Sequence, residues 1–350
     1  IAVRATYTLC LGLWKLGLLE DQALEYIGKA ELIDFDIQYT DVQAVLGESP
    51  KIKRITTATA LSALPLPRPL VTHKYKEGHL LLICGSRRYS GAAILTALGA
   101  RASGVGLLSI AVPESLKTTI VSHLPEAVII GCPETQSGAI SFAAPEAIAK
   151  LQLPGNRDLN SFDAIAVGPG ITVEANAILQ EILDSSKNLL LDADGLNILA
   201  SMGAVQTLQK RQASTILTPH SGEFKRLFPD IDNAIQNRVL AVLEAAKQSG
   251  AIILLKGSRT AIANPQGCLW INPQSTPALA RGGSGDVLTG LLGGLMAQAQ
   301  THNLSVEKMV ATAAWWHAQA AILATQEKTE LGVDAFTLTQ YLTPVLKLFS

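Results

Sequence analysis

Leu80-Leu-Leu-Ile-Cys84 runs into Gly85-Ser-Arg-Arg-Tyr-Ser-Gly91, and residues 92–102 then have helical composition. An apolar run, a glycine loop and a helix in that order make one strand–turn–helix unit. The unit recurs down the chain. Strands are expected over 107–112 and 127–130. Another, over 164–167, ends in Gly168-Pro-Gly170 and is followed by a helix over 175–185. Residues 189–191 end at Asp192, 214–217 at Thr218-Pro219-His220, and 251–255 at Lys256. Residues 233–248 read as a helix with apolar Ile235, Val239, Val242, Leu243 and Ala246, closed by Gly250. Pro265-Gln-Gly267 joins 260–264 to 268–271 as a hairpin, and helices over 286–299 and 305–326 complete the pattern. Short apolar strands separated by helices predict an α/β protein with a mostly parallel sheet covered on both faces. Ligands in such folds sit at the carboxyl ends of the strands.

The 350 residues are 48% hydrophobic and 16% charged, which excludes a disordered chain. Lys and Arg number 28 against 29 Asp and Glu. That balance removes the electrostatic case for a nucleic-acid or membrane-surface binder, so any phosphate chemistry needs a local site. Residues 287–306 and 309–326 carry no formal charge, but Gln, Thr, His and Asn interrupt them; they read as buried helices rather than membrane spans. Cys10, Cys84, Cys132 and Cys268 form no CxxC pair, which fits a reducing cytoplasm better than a disulfide or zinc framework.

Residues 1–48 differ from the rest, with helical composition near 21–26 and a strand-like stretch over 31–37, and are too short to make a good core alone. Residues 49–70, with Pro65, Pro67 and Pro69, read as a linker. Residues 71–350 form the α/β domain.

The strongest motif is Ala280-Arg-Gly-Gly-Ser-Gly-Asp286, which opens a helix. Its glycines allow close backbone approach, and the helix N-terminus offers free N–H groups to an anion. A carboxylate at Asp286 could take a proton from a substrate hydroxyl during phosphoryl transfer, or merely cap the helix. Gly290, Gly293 and Gly294, further along, suit close helix packing. The loop at 84–93 is neither a Walker A sequence nor GxGxxG; it suits either a nucleotide-like ligand or a plain turn. Gly168-Pro-Gly170 is a further turn at a strand end. His220, in Thr218-Pro-His220-Ser-Gly-Glu223, lies where ligands bind, although a lone His is usually structural. Lys256-Gly-Ser-Arg-Thr260 places a lysine to meet phosphate or solvent. Asp192-Ala-Asp194 could serve a magnesium–phosphate centre or cap the next helix. Trp315-Trp316-His317 reads as core packing.

In order, CGSRRYSGAA, LPEA (124–127), VGPG, LDADGLN, TPHSGEF, LLKGSRT and LARGGSGDVLTG resemble the ADP-dependent NAD(P)H-hydrate dehydratase family of the ribokinase-like superfamily. The resemblance begins near His73-Lys74. Residues 6–11, 15–19 and 33–34 resemble the tail of the NAD(P)H-hydrate epimerase domain that often precedes it. It implies a three-layer α/β/α fold and a repair reaction: NADHX or NADPHX loses water as ADP is cleaved to AMP and phosphate. It also implies site roles. Asp286 would activate the hydroxyl; Lys256, Gly257, Ser258, Arg259, Thr260, Gly283, Ser284 and Gly285 would hold the nucleotide. Ala92, Gly170, His220 and Asp286 would contact the hydrated dinucleotide. ADP as co-substrate, Mg2+ and a homo-oligomer, tetramers included, belong to the same implication. The sequence departs at Asn272-Pro-Gln-Ser-Thr276, where the family carries an Asn-Pro-Thr-Gly-Asn-like loop, and at Arg281, Tyr75 and Phe35-Asp36.

Three other readings share parts of this pattern. A small-molecule kinase of the same superfamily would use the same glycine–aspartate turn. A degenerate nucleotide-binding protein would explain the altered 273–276 loop. A nicotinamide-dependent dehydrogenase would suit the fold class but lacks its glycine fingerprint.

Overall fold

The computed structural model describes residues 2–141, 158–231 and 237–349. Twelve strands are labelled in chain order. β1 (Tyr7–Leu11) and β2 (Lys29–Ile33) pair in parallel as a small separate sheet. The others are β3 (Ile52–Arg54), β4 (His79–Ile83), β5 (Leu107–Pro113), β6 (Val128–Cys132), β7 (Ala164–Val167), β8 (Asn188–Leu191), β9 (Thr215–Leu217), β10 (Ile252–Leu255), β11 (Ala261–Ala263) and β12 (Leu269–Ile271). They form one sheet in the order β3-β12-β11-β10-β9-β8-β7-β4-β5-β6. Pairing is antiparallel at β10–β11 and β11–β12, the expected hairpin, and parallel at the other junctions.

Side chains alternate across the sheet with period two, and both faces are buried. Leu80, Leu82, Ala164, Ala166, Leu190, Ile252 and Leu254 belong to one core. Their neighbours Leu81, Ile83, Ile165, Val167, Leu189, Leu191, Ile253 and Leu255 belong to the other. The first core is closed by α1 (Ser90–Ala102), α5 (Ser284–His302), α6 (Val306–Gly332, broken at Thr329) and α7 (Ala335–Leu346). The second is closed by the helices Asn176–Leu183 and Ala204–Leu208 with α2 (Asp194–Ser201), α3 (Ser221–Leu227) and α4 (Arg238–Ser249). This is the three-layer α/β/α arrangement. The uncharged runs that raised the membrane question are α5 and α6, and no helix among the described residues is long and apolar enough to cross a membrane.

Glycine lets α1 and α5 approach backbone to backbone. A Cβ at Gly290 would strike the Thr96 carbonyl, and one at Gly99 the Val287 carbonyl. That contact fixes the N-terminus of α5, and with it Asp286, against the sheet.

Three expectations change. The stretch 49–70 supplies β3, which pairs in parallel with β12, and a helix, Thr57–Leu61, whose Ala60 carbonyl accepts the Thr312 hydroxyl at 3.1 Å. It is joined to the sheet edge rather than a free linker; three closely spaced prolines obscured a strand of only three residues. The strand expected over 31–37 is β2, which ends at Ile33. The start of the helix expected over 233–248 falls at 233–236, outside the described residues; the remainder is α4.

Candidate active site

The site is built from strand ends. At the end of β8, Asp192 is buried with both carboxylate oxygens engaged. Oδ1 takes the Lys256 ammonium at 2.8 Å and Oδ2 accepts the Thr289 hydroxyl at 2.7 Å. Lys256 follows β10 directly, and its ammonium is also 4.0 Å from Glu223 Oε2. Burial alone would discharge this lysine, but Asp192, Glu223 and Asp286 outweigh it and hold its pKa above the ordinary value. It is a fixed cation facing the N-terminus of α5: a Cβ at Gly285 would lie 3.4 Å from its Nζ.

Gly283 begins α5 at a φ of 89°, a conformation that favours glycine. Asp286 sits in the first turn. Among the described residues no hydrogen bond reaches its carboxylate. Burial, reinforced by Asp192 and Asp194 against the opposing pull of Lys256, pushes its pKa up to about 7. A free carboxyl titrating near neutrality is suited to take a proton and hold it. Ala193, between Asp192 and Asp194, has a φ of 49°, and Asp194 Oδ2 accepts the Thr172 N–H at 3.0 Å.

His220 caps α3. Its Nδ1 accepts the Gly222 N–H at 2.9 Å, and Glu223 Oε2 accepts the His220 N–H at 2.9 Å. Burial raises the Glu223 pKa against the pull of Lys256. Next to β8, beyond the ends of β7 and β4, Gly170 and Ala92 adjoin: a Cβ at Gly170, where φ is 69°, would lie 3.0 Å from Ala92 Cβ and 2.8 Å from Tyr89 Cβ. The Gly85 N–H donates to the Pro169 carbonyl at 2.8 Å, which ties the two glycine turns together.

A cleft of about 1170 Å3 opens beside Lys256. His220, Lys256, Gly257, Ser258, Arg259, Thr260, Ser284 and Gly285 line it, so eight of the expected site residues share one wall. Asn272 to Thr276, the departing loop, lines it too. Ala92, Gly170, Gly283 and Asp286 are not among its lining residues. Gly283 turns inward toward Leu95 and Ala335. The Asp286 carboxyl is within electrostatic reach of both Lys256 and Cys84.

Sequence reasoning missed several members. Thr289 lies within the quoted run LARGGSGDVLTG but was given no role, and its partner Asp192 is 97 residues away. Trp315 and Trp316 are buried core, as expected. His317, read as core with them, is buried but also lines the cleft, with Nε2 2.9 Å from the Ser284 carbonyl. Burial drives its pKa down to about 4, so it is neutral at physiological pH.

A family model described as NAD(P)H-hydrate dehydratase matches residues 80–344. The bifunctional NAD(P)H-hydrate repair enzyme Nnr of Synechocystis is 49% identical over 347 residues, covering 99% of this chain and 63% of that protein. The chain thus spans less than two thirds of that relative's length. The ADP-dependent (S)-NAD(P)H-hydrate dehydratase of Bacillus subtilis is 34% identical over 285 residues, covering 81% of this chain and 94% of that one. A crystal structure of the ADP/ATP-dependent NAD(P)H-hydrate dehydratase from Bacillus subtilis, co-crystallized with ATP/Mg2+, matches at a TM-score of 0.71 and 32% identity, covering 86% of this chain and 100% of that one. A ribokinase-like superfamily protein from Enterococcus faecalis, 22% identical, shares the fold at a TM-score of 0.71 over 86% of this chain and 98% of that one. With the family match covering most of the chain and the sheet order above, the chain has the ribokinase-like fold and belongs to the NAD(P)H-hydrate dehydratase family.

Proposed function

We propose that this protein dehydrates hydrated NAD(P)H at the expense of ADP, giving NAD(P)H, AMP and phosphate. The observation that carries the reading is the Asp286 carboxyl, without a hydrogen bond among the described residues and poised near neutrality, within electrostatic reach of a half-buried, charged lysine that faces a helix N-terminus. Hydroxide is a poor leaving group. In the proposed route, Asp286 takes the proton of the substrate's ring hydroxyl as its oxygen attacks the β-phosphorus of ADP. A new O–P bond forms, the bond to the α-phosphate oxygen breaks, and AMP departs. The ring carbon–oxygen bond then breaks with loss of a neighbouring ring proton, phosphate carries away the electron pair, and the double bond of NAD(P)H returns.

Lys256 and the backbone of Gly283–Gly285 would neutralise the transferring phosphoryl group, and Gly257, Ser258, Arg259 and Thr260 would hold the rest of the nucleotide. Ala92, Gly170 and His220 would contact the dinucleotide. Were Lys256 to turn toward phosphate, Thr289 would still satisfy the second oxygen of Asp192.

Among the described residues no three His, Cys, Asp or Glu side chains gather as a metal-ligand set. Carboxylates within electrostatic reach of one another at Asp286, Asp194 and Asp192 would suit a Mg2+ accompanying the nucleotide, and Asp194 and Asp286 would hold it. The ion would supply charge neutralisation on the diphosphate. The Bacillus subtilis relative, described as ADP/ATP-dependent and co-crystallized with ATP/Mg2+, supports both cofactor assignments. We extend the reading to a cytoplasmic homo-oligomer. The free cysteines at 10, 84, 132 and 268 agree with a reducing compartment.

The test is recovery of the dihydronicotinamide absorbance from purified hydrated NADH with ADP, ATP or no nucleotide, wild type beside Asp286→Asn. ADP-dependent recovery lost in the variant is expected. Phosphorylated substrate accumulating without elimination would instead establish the kinase, and turnover by neither nucleotide would refute the proposal.

A further inference from the structure

Residues 80–344 match the family, yet the loop Lys256–Thr260 is held from outside them. The chain from Trp14 to Ile27 crosses the cleft's rim. Trp14 lies under the Arg54 guanidinium, 4.9 Å from ring centre to charge, and Trp14, Leu16 and Leu19 pack on the second core. This packing delivers Asp21 to the loop. Its Oδ1 accepts the Arg259 backbone N–H at 2.5 Å, and its Oδ2 is 3.6 Å from Nε of Arg238.

Arg238, at the start of α4, is itself buried, and its Nη2 donates to the Leu255 and Lys256 carbonyls at 2.8 Å each. Gly257 lies beneath both groups: a Cβ there would sit 2.9 Å from Asp21 Oδ2 and clash with Arg238. One carboxylate and one guanidinium thus fix the peptide groups on either side of Gly257, directly after the lysine. Leu24, three residues on, lines the same cleft.

We infer that Asp21 is a positioning residue for nucleotide binding: by clamping the Arg259 amide and Arg238, it sets the Lys256–Thr260 loop in the shape that accepts ADP. This rests on the reading of that loop as the nucleotide site. Asp21 touches the loop and not the reacting atoms, so its loss should act on nucleotide affinity rather than on chemistry. Losing a charged acceptor for the Arg259 amide frees the loop, so Asp21→Ala should weaken ADP binding by about tenfold. Asp21→Asn keeps an acceptor for the Arg259 amide while giving up the ion pair, and should recover most of the affinity.

The experiment is calorimetric titration of ADP into wild type, Asp21→Ala and Asp21→Asn, with kcat and the KM of each substrate measured in parallel and folding checked by circular dichroism. The expected result is an ADP Kd raised by about tenfold in Asp21→Ala and, measurably above wild type, by about threefold in Asp21→Asn, with kcat and the KM for hydrated NADH within about twofold. If Asp21→Ala does not fold, the intermediate Kd of Asp21→Asn carries the test, and a wild-type Kd there overturns the inference. An unchanged ADP Kd in folded Asp21→Ala overturns it, as does an equal loss for both substrates, which marks general scaffolding. Wild type that binds no ADP would remove the assignment of the loop and this inference together; wild type that binds ADP beside an indifferent Asp21→Ala removes this inference alone.

Discussion

Asp286→Asn should abolish turnover and yet stabilise the fold, increasingly so as pH rises. Burial lifts the Asp286 pKa from the ordinary 3.8 to about 7 in the folded protein. The folded state therefore binds the proton more tightly than the unfolded state, and stability is lost as pH rises toward the folded value. The linkage relation puts the stability lost through the raised Asp286 pKa at about 2 kcal/mol near pH 5 and about 4 kcal/mol near pH 8. An asparagine has no such cost. Asp286 is only partly enclosed, so solvent reduces the difference, and a widening of about 2 kcal/mol between the two pH values is expected. The assay is urea unfolding of wild type and Asp286→Asn in half-unit steps across that range. A constant gap, or one that narrows with rising pH, would refute the claim that the site holds this carboxyl near neutrality against its own solvation.

Lys256→Met should cost about 3–5 kcal/mol in urea unfolding at neutral pH, because it leaves Asp192 buried without its cation; a loss below about 1 kcal/mol would show that Thr289 alone satisfies that carboxylate. Gly170→Ala meets both a positive φ and the Tyr89 and Ala92 side chains. It should raise the KM for the hydrated dinucleotide several-fold while leaving the KM for ADP unchanged, a split that steady-state kinetics with each substrate varied would read.

What the sequence made legible follows from what is local. The run 80–93 is a strand, a turn and a helix whose instructions lie in adjacent residues, and β4 with α1 formed where that pattern placed them. Lys256 and His220 were readable as strand-end residues because parallel sheets put ligands there. Asp192 was visible, but its bonds were not: Lys256 lies 64 residues on and Thr289 97, and only the parallel order of β8, β9 and β10 brings them together. His317 carries a helical pattern indistinguishable from core, since its ring is buried and only its neighbour Ser284 reveals the cleft. α7 was not expected at all, its start hidden behind the break at Thr329. β3, at three residues, is too short for any periodicity to declare it.

The clamp from Asp21 and the edge strand β3 bear on where this enzyme can be cut. A boundary drawn at residue 80, where the match to the family model begins, would remove the acceptor of the Arg259 amide and the β3 partner of β12 together. It would also strip Glu77, buried between Arg68 and His302 at 3.2 Å from each, and leave the imidazole without its acid. The family model delimits one shared unit, whereas similarity to the Synechocystis repair enzyme and mechanical continuity both extend further toward the N-terminus. A fragment trimmed to the former would keep Lys256 and Asp286 yet surrender the scaffolding that aims one of them, so inactivity in such a fragment would speak about excision and not about chemistry.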